Sequence, residues 1–148
     1  MKTHILIAAL TLLSAFQLRA FESAAETAFI QKVQSAIDTK DGDAMFSLVY
    51  LDGVTQSMKE MLQKQIFGIV NQPIKSISLI DPMPGKIFEY TREGIVYRTN
   101  LTPIKILKME YTETSPVSVG SISNASMSFP VGDLNGTLFI TTAAPVNK

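Results

Sequence analysis

The chain of 148 residues has no cysteine and no tryptophan, and its one histidine is His4. Without cysteine it can form no disulfide, no thiol redox centre and no thiolate zinc site. A histidine so close to the N terminus leaves the rest of the chain without an imidazole for Ser-His or Cys-His catalysis. Any catalyst built from this chain would therefore depend on Asp, Glu, Lys, Tyr or Ser.

Excess charge of either sign is also lacking. The 13 basic and 13 acidic residues cancel, so we expect no nucleic-acid partner, because binding to a phosphate backbone depends on clustered positive charge. Neither a calcium-loop spacing nor a glycine-rich phosphate cradle is present, and we expect no metal and no cofactor. With 46% hydrophobic and 18% charged residues, the chain has the composition of a folded globular domain.

Residues 1–20 have the pattern of a secretory signal peptide. Lys2 provides the positive start, residues 5–13 form a mostly apolar run, and Ala20 offers a cleavage point, with alternatives a few residues to either side. The run is shorter than the roughly 20 residues that cross a bilayer, so we expect no stable membrane anchor. We predict one domain over residues 21–148 that is secreted or periplasmic and has lost the single histidine.

Three stretches in the first half of the chain predict helices. Apolar residues recur about every four positions over residues 22–39, and acidic residues precede them. Asp43 can cap a short second helix. Ser57 and Glu60 have the spacing of a capping box at the start of a third helix over residues 57–70.

The second half has a period of two, is rich in β-branched and aromatic residues, and predicts strands. The predicted strands are 74–80, 86–91, 95–101, 104–114, 125–131 and 137–143. Helices followed by strands predict an α+β fold in which N-terminal helices pack on a curved antiparallel sheet.

Alternation along each strand predicts which side chains face the helices. Lys108 and Glu110 fall on the opposite, outward face. The predicted inward surface consists of Phe88, Tyr90, Ile95, Tyr97, Met109, Tyr111, Met127 and Phe129.

The order of these elements resembles the NTF2-like superfamily, also called the cystatin-like cone fold. A helix pair with an Asp-Gly connection, a third amphipathic helix and a curved sheet with a long penultimate hairpin carry the resemblance, together with residues 36–49 and 94–101. It would cover residues 22–146. The resemblance implies a pocket between the helices and the concave sheet. The superfamily includes ketosteroid-isomerase-like, polyketide-cyclase-like and limonene-epoxide-hydrolase-like enzymes, and many members without known catalysis.

The enzymatic members imply a carboxylate base in the pocket beside a tyrosine. Most acidic residues here have structural explanations as caps, turns or outward strand positions. Two remain as catalytic candidates, because Glu113 shares parity with Tyr111 and Asp52 follows Tyr50 just beyond the short helix. The structural alternatives are a turn for Asp52 and a solvated strand end for Glu113.

The four tyrosines Tyr50, Tyr90, Tyr97 and Tyr111 are candidates for lining an apolar ligand site, with ordinary core packing as the alternative. The leading hypothesis is a non-catalytic exported domain that binds a small apolar ligand or a protein partner. One alternative is an isomerase- or dehydratase-like enzyme with Asp52 or Glu113 as base. Another is a homodimeric interaction module whose pocket is filled by side chains.

Overall fold

The computed structural model of the protein describes residues 23–86, 88–112 and 126–146. Within these residues, three helices come first and strands follow, which confirms the predicted α+β class. The helices are Ala24–Asp38 (α1), Gly42–Phe46 (α2) and Gln56–Ile69 (α3). The strands are Ile74–Ile80 (β1), Glu89–Arg92 (β2), Ile95–Thr99 (β3), Pro103–Tyr111 (β4), Ser126–Leu134 (β5), Thr137–Ile140 (β6) and Ala143–Pro145 (β7). The predicted leader lies outside the described residues.

Side-chain caps begin the first two helices. The Ser23 hydroxyl accepts the backbone N–H of Glu26 at 3.2 Å at the start of α1. At α2 the cap is Asp41, whose carboxylate accepts the N–H of Ala44 at 2.9 Å. The prediction of Asp43 as the cap is wrong, since Asp43 lies inside the first turn of α2 and there complements the positive end of the helix.

The predicted capping box of α3 is also wrong. The N-cap is Thr55, whose side chain makes no capping hydrogen bond. Glu60 instead accepts the side-chain amide of Gln56 one turn earlier, at 3.0 Å. The boundary therefore lies two residues before Ser57, and a pair of i and i+4 side chains stabilises the exposed first turn.

The strands form two antiparallel sheets, and the last two strands, β6 and β7, belong to different sheets. One sheet has the order β1-β4-β5-β6 and is strongly curled into a half-barrel, and the other has the order β2-β3-β7. The predicted strand 137–143 is divided between them. The Thr141 N–H donates to the Pro130 carbonyl in β5, whereas the Thr142 carbonyl accepts the Asn100 N–H just after β3. The chain thus leaves one sheet and enters the other between these two threonines.

The hydrophobic core lies between the helices and the inner face of the curled sheet. Its largest fully buried side chains are Met45, Ile66, Leu107, Met109, Ile140, Val33 and Val131. Met109 and Phe129 face inward as predicted, and Met127 packs against the same cluster. Lys108 and Glu110 lie on the outer face, also as predicted, where their side chains form an ion pair at 2.7 Å.

The prediction that Tyr90, Ile95 and Tyr97 face the helices is wrong. Tyr90 is 46% exposed and Ile95 is 45% exposed. The core cluster, over the part of the chain that the structure describes, contains no residue of β2, β3 or β7. The three-stranded sheet therefore stands apart from the core, with Tyr90 and Ile95 exposed at the surface and Tyr97 half-buried.

No helix within the described ranges has the length and apolar character needed to cross a membrane.

Packing between α2 and α3 leads to a stability prediction at Gly42. A Cβ added there would lie 2.7 Å from Cγ of Phe67, so the aromatic ring must move. We expect Gly42→Ala to lower the free energy of unfolding by about 1 kcal/mol, because displacement of the ring outweighs the higher helix propensity of alanine.

A double-mutant cycle with Phe67→Ala checks this cause by urea unfolding. Without the ring, Gly42→Ala should become neutral or stabilising by about 0.5 kcal/mol. A cost that persists in the Phe67→Ala background would show that steric conflict with the ring is not the reason.

Candidate functional site

Apolar side chains fill the space between the helices and the curled sheet. Val33, Met45 and Ile66 come from the three helices, and Leu107 and Met109 come from β4; each is less than 2% exposed. This is the space in which the resemblance implies a pocket. Buried side chains of the helices and of β4, β5 and β6 belong to one hydrophobic cluster in this space, and a ligand placed there would compete with their packing.

Tyr111 lies at one end of this core. Its side chain is half-buried, and its hydroxyl donates to the sulfur of Met127 at 3.8 Å. Burial raises the pKa of the Tyr111 hydroxyl above its ordinary value, because the charged phenolate would lose solvation. This environment favours a neutral hydroxyl over a phenolate.

The raised pKa of Tyr111 predicts a loss of stability at alkaline pH. The unfolded chain ionises this residue near its ordinary pKa of about 10, so its contribution to stability is complete below that pH and lost as pH rises through the folded pKa. We expect Tyr111→Phe to reduce the fall in urea midpoint between about pH 8 and about pH 10.5. An identical fall in both proteins would contradict the assignment.

The two catalytic candidates have different outcomes. Asp52 is exposed and lies in the turn between α2 and α3. Glu113 lies outside the described residues. Within the ranges that the structure describes, the buried polar residues are Thr141 and Thr142, so no Asp or Glu there is a buried, desolvated base.

Asn100 is the centre of a polar cluster that the sequence did not reveal. Its side-chain amide donates to the carbonyls of Tyr50 at 2.8 Å and Asp52 at 3.0 Å, and lies 3.2 Å from the Thr142 hydroxyl. Its side-chain carbonyl accepts the N–H of Thr142 at 3.0 Å. We call these four residues the Asn100 cluster. It joins the connection after α2 to the bend between β6 and β7.

Tyr50 contributes to this cluster through its backbone. Its carbonyl accepts Asn100 and also the Thr142 hydroxyl at 3.1 Å, and its N–H donates to the Ile140 carbonyl. The ring packs against Phe139 with centroids 5.9 Å apart. These contacts give Tyr50 a structural role at the junction of the two sheets.

Tyr90 and Tyr97 lie together on one face of the three-stranded sheet. They are opposite each other in the β2-β3 ladder, and their rings stack with centroids 5.1 Å apart and planes 10° from parallel. Arg92 pairs with Ile95, and Pro145 pairs with Tyr97, which places all five side chains on the same face. We call these five residues the tyrosine face.

The ion pairs of Lys105, near the start of β4, connect this strand to neighbouring parts of the fold. Lys105 Nζ lies 2.8 Å from Asp81 and 3.6 Å from Glu26 of α1. The hydrogen bond that Lys105 donates to the Asp81 carboxylate raises the pKa of Lys105, and the charge of Glu26 adds to this against the cost of burial. A lysine held in its charged form is a poor nucleophile, so this residue is unsuited to Schiff-base chemistry.

On the outer face of the curled sheet, Glu110 accepts hydrogen bonds from Lys108 at 2.7 Å and from the Ser76 hydroxyl at 2.9 Å. The lysine hydrogen bond is the larger of the two causes that lower the pKa of the Glu110 carboxyl. The three side chains tie together neighbouring positions of β1 and β4 at the surface, and exposed ion pairs of this kind contribute little to stability.

No group of three His, Cys, Asp or Glu side chains converges to hold a metal ion in the described portions of the chain.

Comparison of the chain with profiles of known protein families, with curated proteins and with solved structures finds no match. The class is therefore defined by architecture, as a helix-covered, strongly curled antiparallel sheet compatible with a cone-like α+β fold. The tyrosine face is its candidate functional site.

Proposed function

We propose that the chain is an exported, non-catalytic domain of the NTF2-like type that binds a partner protein through its tyrosine face. The observation that carries the proposal is the stacked pair of Tyr90 and Tyr97 beside the exposed side chain of Ile95. Tyrosine and arginine are enriched in protein interfaces, because they bury a large area and still form polar contacts at its rim. Arg92 provides the charged group at the edge of this face.

The filled interior supports a partner protein over a small apolar ligand. A ligand enclosed between the helices and the curled sheet would have to displace side chains such as Leu107 and Met109, which are fully buried. Opening a well-packed core costs both buried area and contacts. The tyrosine face needs no such rearrangement, since Tyr90 is already 46% exposed.

The same argument supports binding over catalysis. General-base catalysis at neutral pH needs a carboxylate whose pKa is raised by burial or by a neighbouring charge. Asp52 is exposed, and its backbone carbonyl rather than its carboxylate participates in the Asn100 cluster. A binding role uses the residues that the fold leaves accessible.

Photo-cross-linking in the compartment where the chain accumulates tests the proposal. Ile95 is replaced by benzoylphenylalanine, and the matched control carries the same group at Met83, which is 75% exposed and lies in the connection between β1 and β2. We expect a discrete protein adduct from position 95 and none from position 83. Adding Tyr97→Ser should lower the yield about tenfold, because it removes one ring of the stacked pair.

Equal adducts from positions 95 and 83 would indicate random encounters, and no adduct from position 95 would refute the proposed surface. Native mass spectrometry of the same preparation provides a second result. A retained small molecule in the absence of an adduct would favour the ligand-binding alternative.

A further inference from the structure

The edge of β2 that points away from β3 has the geometry to accept another strand. The Thr99 N–H donates to the Phe88 carbonyl, so these two residues form a hydrogen-bonded pair of the antiparallel ladder. By alternation, the backbone of Tyr90 points toward β3, and the backbones of Glu89 and Thr91 point away from it. Among the described residues no strand pairs with that side of β2, and an unpaired edge is a template for strand addition.

Geometry and charge restrict how a second copy of β2 can pair with this edge. When two copies of β2 pair antiparallel about a two-fold axis, opposite residues have their side chains on the same face of the sheet. The axis therefore passes through one residue position and not between two positions. When the pairing is centred on Glu89, the two Glu89 carboxylates lie opposite each other, and each is also bound by Arg98 of its own chain at 2.7 Å. When it is centred on Thr91, Glu89 lies opposite Glu93. Like charges directly opposite are destabilising. Centred on Tyr90, it pairs Glu89 of each copy with Thr91 of the other and opposes no like charges.

We propose that two copies of the chain associate reversibly along their β2 edges, in the register centred on Tyr90. The two Tyr90 residues then meet at a close, non-hydrogen-bonded position of the ladder. Each already stacks on Tyr97 with ring centroids 5.1 Å apart, so four rings form one continuous row. Arg92 of each copy lies opposite Phe88 of the other, beside the Lys86 ammonium group that lies 5.2 Å from the centroid of that Phe88 ring. The inference rests on the proposed function, because it names a second copy as a partner of the same surface.

Charge substitutions at Thr91 test the register. In the proposed pairing, Thr91→Lys places an ammonium group opposite Glu89 of the second copy, and Thr91→Glu places a carboxylate there. We expect the first to tighten the dimer about fivefold and the second to weaken it about fivefold. Sedimentation equilibrium over micromolar to millimolar concentrations measures both, on protein expressed from the complete coding sequence. Thr91→Val is the matched control and should leave the dimer unchanged, because the backbone carries the pairing.

A proline at the same position tests the backbone directly. Thr91→Pro removes an N–H that points away from β3, so the β2-β3 hydrogen bonds remain. We expect it to weaken the dimer by at least about 30-fold, since each dimer loses two hydrogen bonds. Near-ultraviolet circular dichroism of the tyrosines confirms that the variant is folded. In the unsubstituted protein, exchange of the Thr91 amide hydrogen should slow as concentration rises.

A protein that stays monomeric at every concentration would overturn the edge pairing, and so would Lys and Glu variants that shift the dimer in the same direction. These results are separable from the proposed function. A monomeric chain that still gives an adduct with another protein from position 95 retains that function and loses the dimer. An intact dimer in Thr91→Pro, abolished by Tyr97→Ser, would replace edge pairing with contact between faces.

Discussion

Asn100→Ala is expected to lower the free energy of unfolding by about 3 kcal/mol, because several half-buried polar groups lose their partners at once. The amide of Asn100 donates to the carbonyls of Tyr50 and Asp52, and its oxygen accepts the N–H of Thr142. Thr142 is only 6% exposed, so its N–H cannot turn to solvent without local opening. Urea unfolding monitored by circular dichroism measures the loss.

Two further variants separate the hydrogen bonds from general effects at this position. Asn100→Asp keeps the acceptor for Thr142 but points a carboxylate at two carbonyl oxygens, so it should destabilise at neutral pH and recover in part as the carboxyl is protonated. Thr102→Ala, at an exposed neighbour, should change stability by less than about 0.5 kcal/mol. An Asn100→Ala protein as stable as Thr102→Ala would refute the structural role of the cluster.

Gly132→Ala is expected to cost about 3 kcal/mol through overpacking. An added Cβ would lie 2.7 Å from Cβ of Leu101, 2.9 Å from the carbonyl oxygen of Thr102 and 3.0 Å from Cγ2 of Thr141. One of these neighbours is backbone, so a change of side-chain rotamer cannot relieve the conflict. At Gly132, β5 packs directly against Leu101 and Thr102 in the connection between β3 and β4. We therefore expect the added methyl group to push the two sheets apart at this connection.

Gly68→Ala is the matched control. Gly68 lies in α3 with nothing within 4 Å of an added Cβ. The same substitution should there stabilise the protein by about 0.5 to 1 kcal/mol through higher helix propensity. Opposite signs at the two glycines, measured by thermal and urea unfolding, support the close approach at Gly132. A loss of less than about 0.5 kcal/mol in Gly132→Ala would contradict it.

Local periodicity was sufficient to predict the element types, because helices and half-buried strands place their apolar residues at different spacings. Boundaries set by distant residues could not be found this way. Asp41 and Asp43 are both suitable helix caps. In the structure Asp41 is the cap, and the first residue of α2, Gly42, lies close to the ring of Phe67 in α3. The predicted strand 137–143 is divided because Pro130 and Asn100, far apart in the sequence, pair with successive threonines.

The candidate site shows the same limit. Alternation correctly placed Tyr90 and Tyr97 on one face, but alternation does not say which face of a strand meets the helices. Their hairpin joins a separate sheet, and Tyr90 is therefore exposed. The role of Asn100 depends on backbone groups about 40 to 50 positions away in the chain. Its one local signal is the Asn-Leu-Thr sequence, which matches the N-glycosylation acceptor pattern and does not indicate a structural cluster.

Hydroxyl-radical labelling of the tyrosines, compared between the native compartment and dilute purified protein, tests the central claim most directly. The claim is that binding uses the tyrosine face and leaves the filled interior unchanged. The predicted result is strong protection of Tyr90 in the compartment, its loss on dilution, and no change at Tyr111. Equal labelling of Tyr90 under both conditions, together with protection of Tyr111 in the compartment, would contradict the claim and indicate a ligand bound at the end of the core.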